Sequence, residues 1–152
     1  MNNLVTLAPE LCDNYRKSLK ILCRAISLSS GEFSLILAHC NNPSQRQELV
    51  KELRDRSSVP VRAMVLPNTT QTIYTSIYDR LNGQQPSALT ILGLESVRSL
   101  DEALISANFV RNEFRKQFPF PLIIWVTDTV LRKMMRLAPD LESWAMLPID
   151  FT

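Results

Sequence analysis

The chain has 152 residues, of which 45% are hydrophobic and 21% are charged, and this composition is typical of a globular protein. Its formal net charge of +2 at pH 7 is too close to neutral to indicate binding to nucleic acid or to an anionic membrane. The apolar runs are far shorter than the ~20 residues of a membrane span, and the N-terminus has no signal-peptide pattern.

The first predicted element is a helix from Pro9 to about Leu28. Its apolar residues recur at spacings of three and four, which places them on one helix face; they are Leu11, Tyr15, Leu19, Leu22 and Ile26. We predict a single domain over residues 1–152, in which residues 1 to about 30 form an N-terminal helical extension.

Apolar strands then alternate with helices along the rest of the chain. The predicted strands are Phe33–Ala38, Val59–Leu66, Ala88–Leu94, Pro121–Val126 and an edge strand at Leu147–Phe151. The predicted helices run from Pro43 to about Arg56 after an Asn42 cap, over Thr69–Leu81, from a Ser99–Glu102 capping box to about Gln117, and from an Asp128 cap to just before Pro139, followed by a short turn at Asp140–Trp144.

Strands that are apolar throughout are buried on both faces, which is typical of a parallel sheet covered by helices. The predicted fold is therefore an α/β three-layer sandwich with a mostly parallel sheet of four to five strands and an extra N-terminal helix. In the third helix, we expect Ile73, Tyr74, Ile77, Tyr78 and Leu81 to face the core.

Ligands of open α/β sheets bind beyond the carboxyl ends of the strands. After the first strand, the turn His39–Ser44 has neither the glycines nor the lysine of a phosphate-binding loop, and Pro43 removes one backbone donor. We therefore expect no nucleotide binding at Asn41, Asn42, Pro43 and Ser44. No cofactor and no metal are expected either.

Two carboxylates follow the later strands, and each has two interpretations. Glu95 follows the third strand and Asp128 follows the fourth, where a carboxylate can bind magnesium or act as a base. Asp128 equally fits a helix cap, and Glu95 equally fits a solvated loop acid.

The three cysteines, Cys12, Cys23 and Cys40, form no CxxC motif, and reduced thiols in a cytoplasmic protein are expected. His39 precedes Cys40, which suggests a small hydrolase that would use both residues with Asp128. Adjacent strand residues point to opposite faces, however, so a partly buried, hydrogen-bonded histidine is the alternative interpretation.

The segments Phe118–Val126, Leu131–Lys133 and Ala138–Trp144 resemble part of a known family. It comprises multidomain proteins, common in cyanobacteria, that carry a STAND-type P-loop NTPase or NTPase-like domain joined to tetratricopeptide or WD40 repeats. The sequence Ala138-Pro139-Asp140-Leu141-Glu142-Ser143-Trp144 is the most specific part, and Leu92–Glu95 resembles the Walker B strand. The resemblance covers roughly residues 30–151.

The resemblance implies that the first turn, Asn41–Ser44, corresponds to the nucleotide-binding loop. It also implies that Glu95 corresponds to the acid for magnesium and water, and that Thr127 with Asp128 corresponds to the polar sensor. Because the first turn lacks the phosphate-binding pattern, a non-catalytic regulatory or protein-interaction domain of a signalling or scaffold protein is expected. Its partner would be a protein or other domains of a longer polypeptide, and the sequence leaves the formation of homo-oligomers undecided. The alternative function is that of a diverged ATPase or GTPase.

Overall fold

The structure is a computed structural model that describes residues 9–152, with side chains from residue 14 onward. The helices are α1 Pro9–Leu28, α2 Pro43–Arg56, α3 Ile73–Leu81, α4 Leu100–Phe109, α5 Arg111–Gln117, α6 Asp128–Leu137 and α7 Pro139–Glu142. The strands are β1 Ser34–His39, β2 Arg62–Val65, β3 Leu89–Leu92, β4 Pro121–Val126 and β5 Ile149–Asp150. Cys12 and Leu11 lie outside the side chains that are described.

The five strands form one parallel sheet in the order β2-β3-β4-β1-β5. Its centre is the β1–β4 pair, which runs in register from Ser34 opposite Pro121 to His39 opposite Val126. Every residue of β4 is buried, as expected for a central strand covered on both faces. The prediction of an α/β fold with a parallel sheet is confirmed.

Helices cover both faces of the sheet and make two separate apolar cores. On one face, α1 and α2 pack against alternate strand residues such as Ile36, Ile123 and Trp125. On the other face, α3 to α7 pack against residues such as Leu37 and Ile124. The three-layer arrangement follows from this alternation, because successive strand residues point to opposite faces.

The first core contains one buried hydrogen bond that joins two central strands. The Trp125 indole Nε1–H donates to the Thr90 hydroxyl oxygen at 2.8 Å, and both residues are inaccessible to solvent. A buried indole N–H without a partner is unfavourable, so this pair fixes the orientation of the largest side chain in that core.

Two predicted elements, β2 and α3, begin at least three residues later than the sequence indicates. Pairing of β2 with β3 starts where the Arg62 N–H donates to the Ala88 carbonyl, and Pro60 contributes no N–H before that point. α3 starts at Ile73 because Thr70 forms a turn, in which both its N–H and its hydroxyl donate to the Pro67 carbonyl.

The helix predicted from Ser99 to about Gln117 is interrupted, and its predicted capping box is wrong. The Ser99 side chain makes no capping hydrogen bond, and its backbone angles are outside the extended region. α4 ends at Phe109 because the carbonyl and side chain of Asn108 bind elsewhere, to Arg111 and to the Leu141 N–H. α5 then begins as a separate helix.

One residue predicted to face the core lies on the surface. Tyr78 is half exposed and stacks on Tyr74, which is itself only partly buried. Ile73, Ile77 and Leu81 are buried as predicted. Over residues 9–152, α1 is the longest helix, and none of the helices is long and apolar enough to cross a membrane.

Candidate functional site

The sheet has a crevice at the carboxyl ends of β1 and β4. α2 leaves β1 towards one face, whereas α6 leaves β4 towards the opposite face. Neighbouring strands whose connections diverge in this way define the position where open α/β sheets bind ligands. The residues at the ends of these strands and just beyond them are His39 to Ser44 and Thr127 to Thr129.

The turn after β1 is closed, in the sense that its polar groups form hydrogen bonds within the protein. Asn42 caps α2, with its side-chain oxygen accepting from the Gln45 N–H at 3.0 Å, and Pro43 occupies the first helical position. The Cys40 N–H is used in the sheet, where it donates to the Val126 carbonyl. Asn42 is therefore the cap that the sequence predicts.

This turn also lacks the backbone conformation of a phosphate-binding loop. A concave nest of N–H groups requires residues with positive φ, usually glycine. Among the described residues, positive φ occurs at Gly31, Asn82, Gly83 and Gly93, none of which belongs to the turn. Asn42 is extended, with φ −93° and ψ 116°.

An ion pair between a nearly buried arginine and a partly exposed glutamate crosses the same edge of the sheet. Arg46, in the second turn of α2, donates from Nη2 to Glu95 Oε2 at 2.6 Å. The Arg46 side chain is 9% exposed and that of Glu95 is 27% exposed. Glu95 is therefore not simply a solvated loop acid, since its partner is a nearly buried guanidinium.

Glu95 reaches this position through a glycine turn. Gly93 has φ +94°, and a Cβ atom there would lie 2.9 Å from the Leu66 carbonyl oxygen. Only glycine fits both the left-handed conformation and the close approach. One turn of 3-10 helix, Leu94–Ser96, follows directly and directs Glu95 towards α2.

His39 lies between two carboxylates at the end of β1. Its Nε2 contacts Asp128, and its Nδ1 is 3.5 Å from Asp150 Oδ1 in β5. The imidazole therefore connects three elements of the edge, namely β1, α6 and β5. This matches the interpretation of His39 as a partly buried, hydrogen-bonded histidine.

Asp128 is the first helical residue of α6, and the predicted Asp128 cap is wrong. The cap is Thr127, whose hydroxyl oxygen accepts from the Val130 N–H at 3.3 Å. The Asp128 N–H donates to the Asn41 side-chain oxygen at 2.8 Å, which ties the turn after β1 to α6. The Asp128 carboxylate is thereby left to bind His39.

Both carboxylates around His39 are stabilised in their ionised form. Hydrogen bonds from His39 and Asn41 lower the pKa of Asp128. Hydrogen bonds from Thr152 lower the pKa of Asp150. Both groups therefore stay ionised to more acidic pH than an ordinary aspartate.

Cys40 lies on the other side of β1 from this cluster. Its thiol contacts the Asn42 carbonyl oxygen at 3.6 Å and packs among the side chains of α1 and α2. Burial raises the pKa of the Cys40 thiol. A reactive cysteine needs a lowered pKa and access to solvent, so the geometry does not favour Cys40 as a nucleophile for His39.

A cleft of about 590 Å³ opens beside the ion pair. It is lined by the ends of β3 and β4 and the first turns of α4 and α6, and its charged residues are Glu95, Arg98, Asp101, Glu102 and Lys133. Lys133 is paired with Asp101 at 2.7 Å. A second groove, along α2 near Pro60, is larger at about 820 Å³, but it lies away from the carboxyl edge.

The sequence interpretation missed Arg46 and Asp150. Arg46 precedes Leu49, Val50 and Leu53 by three, four and seven residues, which puts it on the buried stripe of α2. A charged residue on an apolar stripe indicates a buried ion pair, so the signal was present. Asp150 gave no such signal because its role depends on how β5 pairs with β1.

No protein-family model, curated protein or solved structure matches this chain. Within the part that the structure describes, no group of three or more histidine, cysteine or acidic side chains is arranged to hold a metal ion.

Proposed function

We propose that this chain is a non-catalytic, NTPase-like regulatory or protein-interaction domain of a cytoplasmic signalling or scaffold protein. The observation that carries the proposal is the closed turn between β1 and α2. In the family that the sequence resembles, this turn holds nucleotide. Here its groups bind to one another instead.

Half of the backbone N–H groups between Cys40 and Arg46 already have partners within the protein. The Cys40 N–H is in the sheet, Pro43 has none, and the Gln45 and Arg46 N–H groups bind the side chain and the carbonyl of Asn42. Helix N-termini bind anions through such N–H groups. With three of them engaged, and no positive φ in the turn to form a concave nest, a triphosphate would find fewer backbone contacts here than in a phosphate-binding loop.

The charges of the neighbouring cleft also disfavour a polyphosphate. Arg46 is paired with Glu95 and Lys133 is paired with Asp101. Glu102 adds a third carboxylate to the lining of the cleft. A nucleotide triphosphate needs an excess of positive charge around it. Here the three cations Arg46, Arg98 and Lys133 are matched in number by the three carboxylates, so there is no such excess.

The positions of the candidate residues support an NTPase-like origin. The resemblance assigns Asn41 to Ser44, Glu95, and Thr127 with Asp128 to one nucleotide site. The strand order β2-β3-β4-β1-β5 brings the ends of β1, β3 and β4 to one edge. Asn41 is bonded to the Asp128 N–H, and Glu95 reaches α2 through Arg46.

One observation favours the alternative, a diverged ATPase or GTPase. Arg46 Nη1 is buried and has no hydrogen-bond partner among the described residues. A buried donor without a partner is unfavourable, and a bound anion would satisfy it. In this alternative, Arg46 would supply the cation that a lysine supplies in a phosphate-binding loop.

Calorimetric titration with ATP or GTP in the presence of Mg²⁺ separates the two proposals. The non-catalytic proposal expects no heat of binding from the parent chain. As a matched control, an Arg46→Met variant should behave identically. Micromolar binding by the parent that Arg46→Met removes, together with phosphate release that Glu95→Gln lowers, would establish the alternative.

A further inference from the structure

The cleft between α4 and α6 is surrounded by charged groups that balance one another. Its volume of about 590 Å³ lies within the ~300–1,000 Å³ range of small-molecule sites. The charged residues around it, counting the arginine bound to Glu95, are Arg46, Arg98, Lys133, Glu95, Asp101 and Glu102. Three positive charges thus face three negative charges, which favours a ligand without net charge.

Two of these six charges are unpaired, and they have opposite signs. The other four form the ion pairs Arg46–Glu95 and Lys133–Asp101. The side chains of Arg98 and Glu102 make no ion pair or hydrogen bond with the part of the chain that the structure describes. Both residues are exposed. The cleft therefore offers one free cation and one free carboxylate to a ligand.

A buried donor without a partner lies next to the same cleft. The Arg46 side chain is 9% exposed, and its Nη2 donates to Glu95 Oε2. Its Nη1 has no hydrogen-bond partner among the described residues. Both nitrogens belong to one planar guanidinium, so Nη1 lies beside the Glu95 carboxylate that lines the cleft. Because a buried donor without an acceptor is unfavourable, a ligand oxygen at this position would be stabilising.

The first turn of α4 adds backbone donors near Arg98. Leu100, Asp101 and Glu102 line the cleft, and α4 has ten residues. Ser99 makes no side-chain capping bond to this turn. The N-terminus of a helix carries a partial positive charge, and its N–H groups bind carboxylates. Arg98 and this helix end together suit a carboxylate group.

We propose that this cleft binds a small zwitterion of the α-amino acid class. The ligand carboxylate lies against Arg98 and the first turn of α4, and it reaches Arg46 Nη1 when the partly exposed Glu95 side chain turns aside. The ligand ammonium donates to Glu102 and to the Thr129 hydroxyl, which also lines the cleft. This inference goes beyond the proposed function, because it does not depend on whether the turn after β1 receives nucleotide.

The test is calorimetric titration of the full chain with each standard L-amino acid in turn. At least one of them should bind with a dissociation constant of about 100 μM or less. Acetate and methylammonium, which carry one charge each, should bind at least about tenfold more weakly, since each leaves a charge of the cleft unpaired. ATP with Mg²⁺, titrated in parallel, tests the proposed function separately.

Two exposed substitutions locate the site. Arg98→Gln and Glu102→Gln each remove one unpaired charge, and each should weaken binding of that amino acid at least about tenfold, because a charge-assisted hydrogen bond is lost. Arg136→Gln and Glu48→Gln make the same changes at exposed positions outside the cleft. These matched controls should bind as the parent does, and circular dichroism verifies that all four variants fold.

A double variant tests the part played by the guanidinium beside the cleft. Arg46→Met with Glu95→Gln removes the unpartnered donor and leaves no buried charge behind, so the chain should fold. Its affinity for the amino acid should also fall at least about tenfold.

The proposal is overturned if none of the amino acids binds, or if acetate alone binds as tightly as the best of them. It is also overturned if Arg98→Gln and Glu102→Gln bind as the parent does, or if the matched controls lose as much affinity. Unchanged affinity in the Arg46→Met, Glu95→Gln double variant would contradict the position assigned to the carboxylate.

Discussion

Two charged contacts cross the carboxyl edge of the sheet, and they differ mainly in burial. The side chains of Arg46 and Glu95 are 9% and 27% exposed, whereas those of His39 and Asp128 are 19% and 49% exposed. A buried charge depends on its partner because water cannot replace that partner, while an exposed charge is solvated and screened by salt. The Arg46–Glu95 pair should therefore matter more for stability. It joins α2 to the turn after β3, whereas the His39–Asp128 contact joins β1 to α6.

The largest expected effect comes from removing the charge of Glu95. Glu95→Gln keeps the shape of the side chain but leaves the Arg46 guanidinium without a counter-ion. We expect the free energy of unfolding to fall by about 3 kcal/mol, at the lower end for buried pairs because Glu95 retains some access to water. Urea unfolding at neutral pH measures this change.

A double variant serves as the control for this prediction. In Arg46→Met with Glu95→Gln, no charge remains buried, and stability should return to within about 1 kcal/mol of the parent. A loss below about 0.5 kcal/mol for Glu95→Gln alone would mean that the pair behaves as an ordinary surface contact.

The next effect concerns the turn that positions Glu95. Gly93→Ala adds a Cβ atom 2.9 Å from the Leu66 carbonyl at a residue with φ +94°, so we expect a loss of about 2 kcal/mol. Gly83→Ala is the matched control, because Gly83 has φ +81° but nothing within 4 Å of the added atom. Equal losses for the two variants would show that the close approach to Leu66 has no energetic effect.

The smallest effect is expected at Asp128, and it depends on pH. The folded state lowers the pKa of Asp128, so its stabilising contribution is complete above about pH 4 and is lost as the pH falls through the lowered value. Asp128→Asn should therefore be slightly less stable than the parent at pH 7, by less than Glu95→Gln.

The difference between Asp128→Asn and the parent should shrink in acid and in high salt. Thermal unfolding at neutral pH and near pH 3 measures it. A difference that grows as the pH falls would contradict the assigned direction of the pKa shift.

The fold was predictable from the sequence because local signals agreed with one another. β4 was predicted with its observed bounds, since Pro121–Val126 is an unbroken apolar run, and α2 likewise, since Asn42 and Pro43 mark its start. The predicted helix boundaries are wrong where a side chain forms a hydrogen bond outside the helix, as at Thr70 and Asn108.

The candidate site was less predictable because its contacts join residues far apart in the sequence. Glu95 and Arg46 are 49 residues apart, and His39 and Asp128 are 89 residues apart. No local pattern specifies which partner each charge finds. For this reason Asp128, which locally resembles a cap, turned out to bind His39, while Thr127 caps the helix.

The central claim is that the turn between β1 and α2 does not receive a phosphate group. The backbone amides of Asn41, Asn42, Ser44 and Gln45 report on it directly in two-dimensional ¹H–¹⁵N spectra of the full chain. Adding ATP with Mg²⁺ should leave these four signals in place. Saturable shifts confined to them, at micromolar nucleotide, would contradict the claim and show that the turn still binds phosphate.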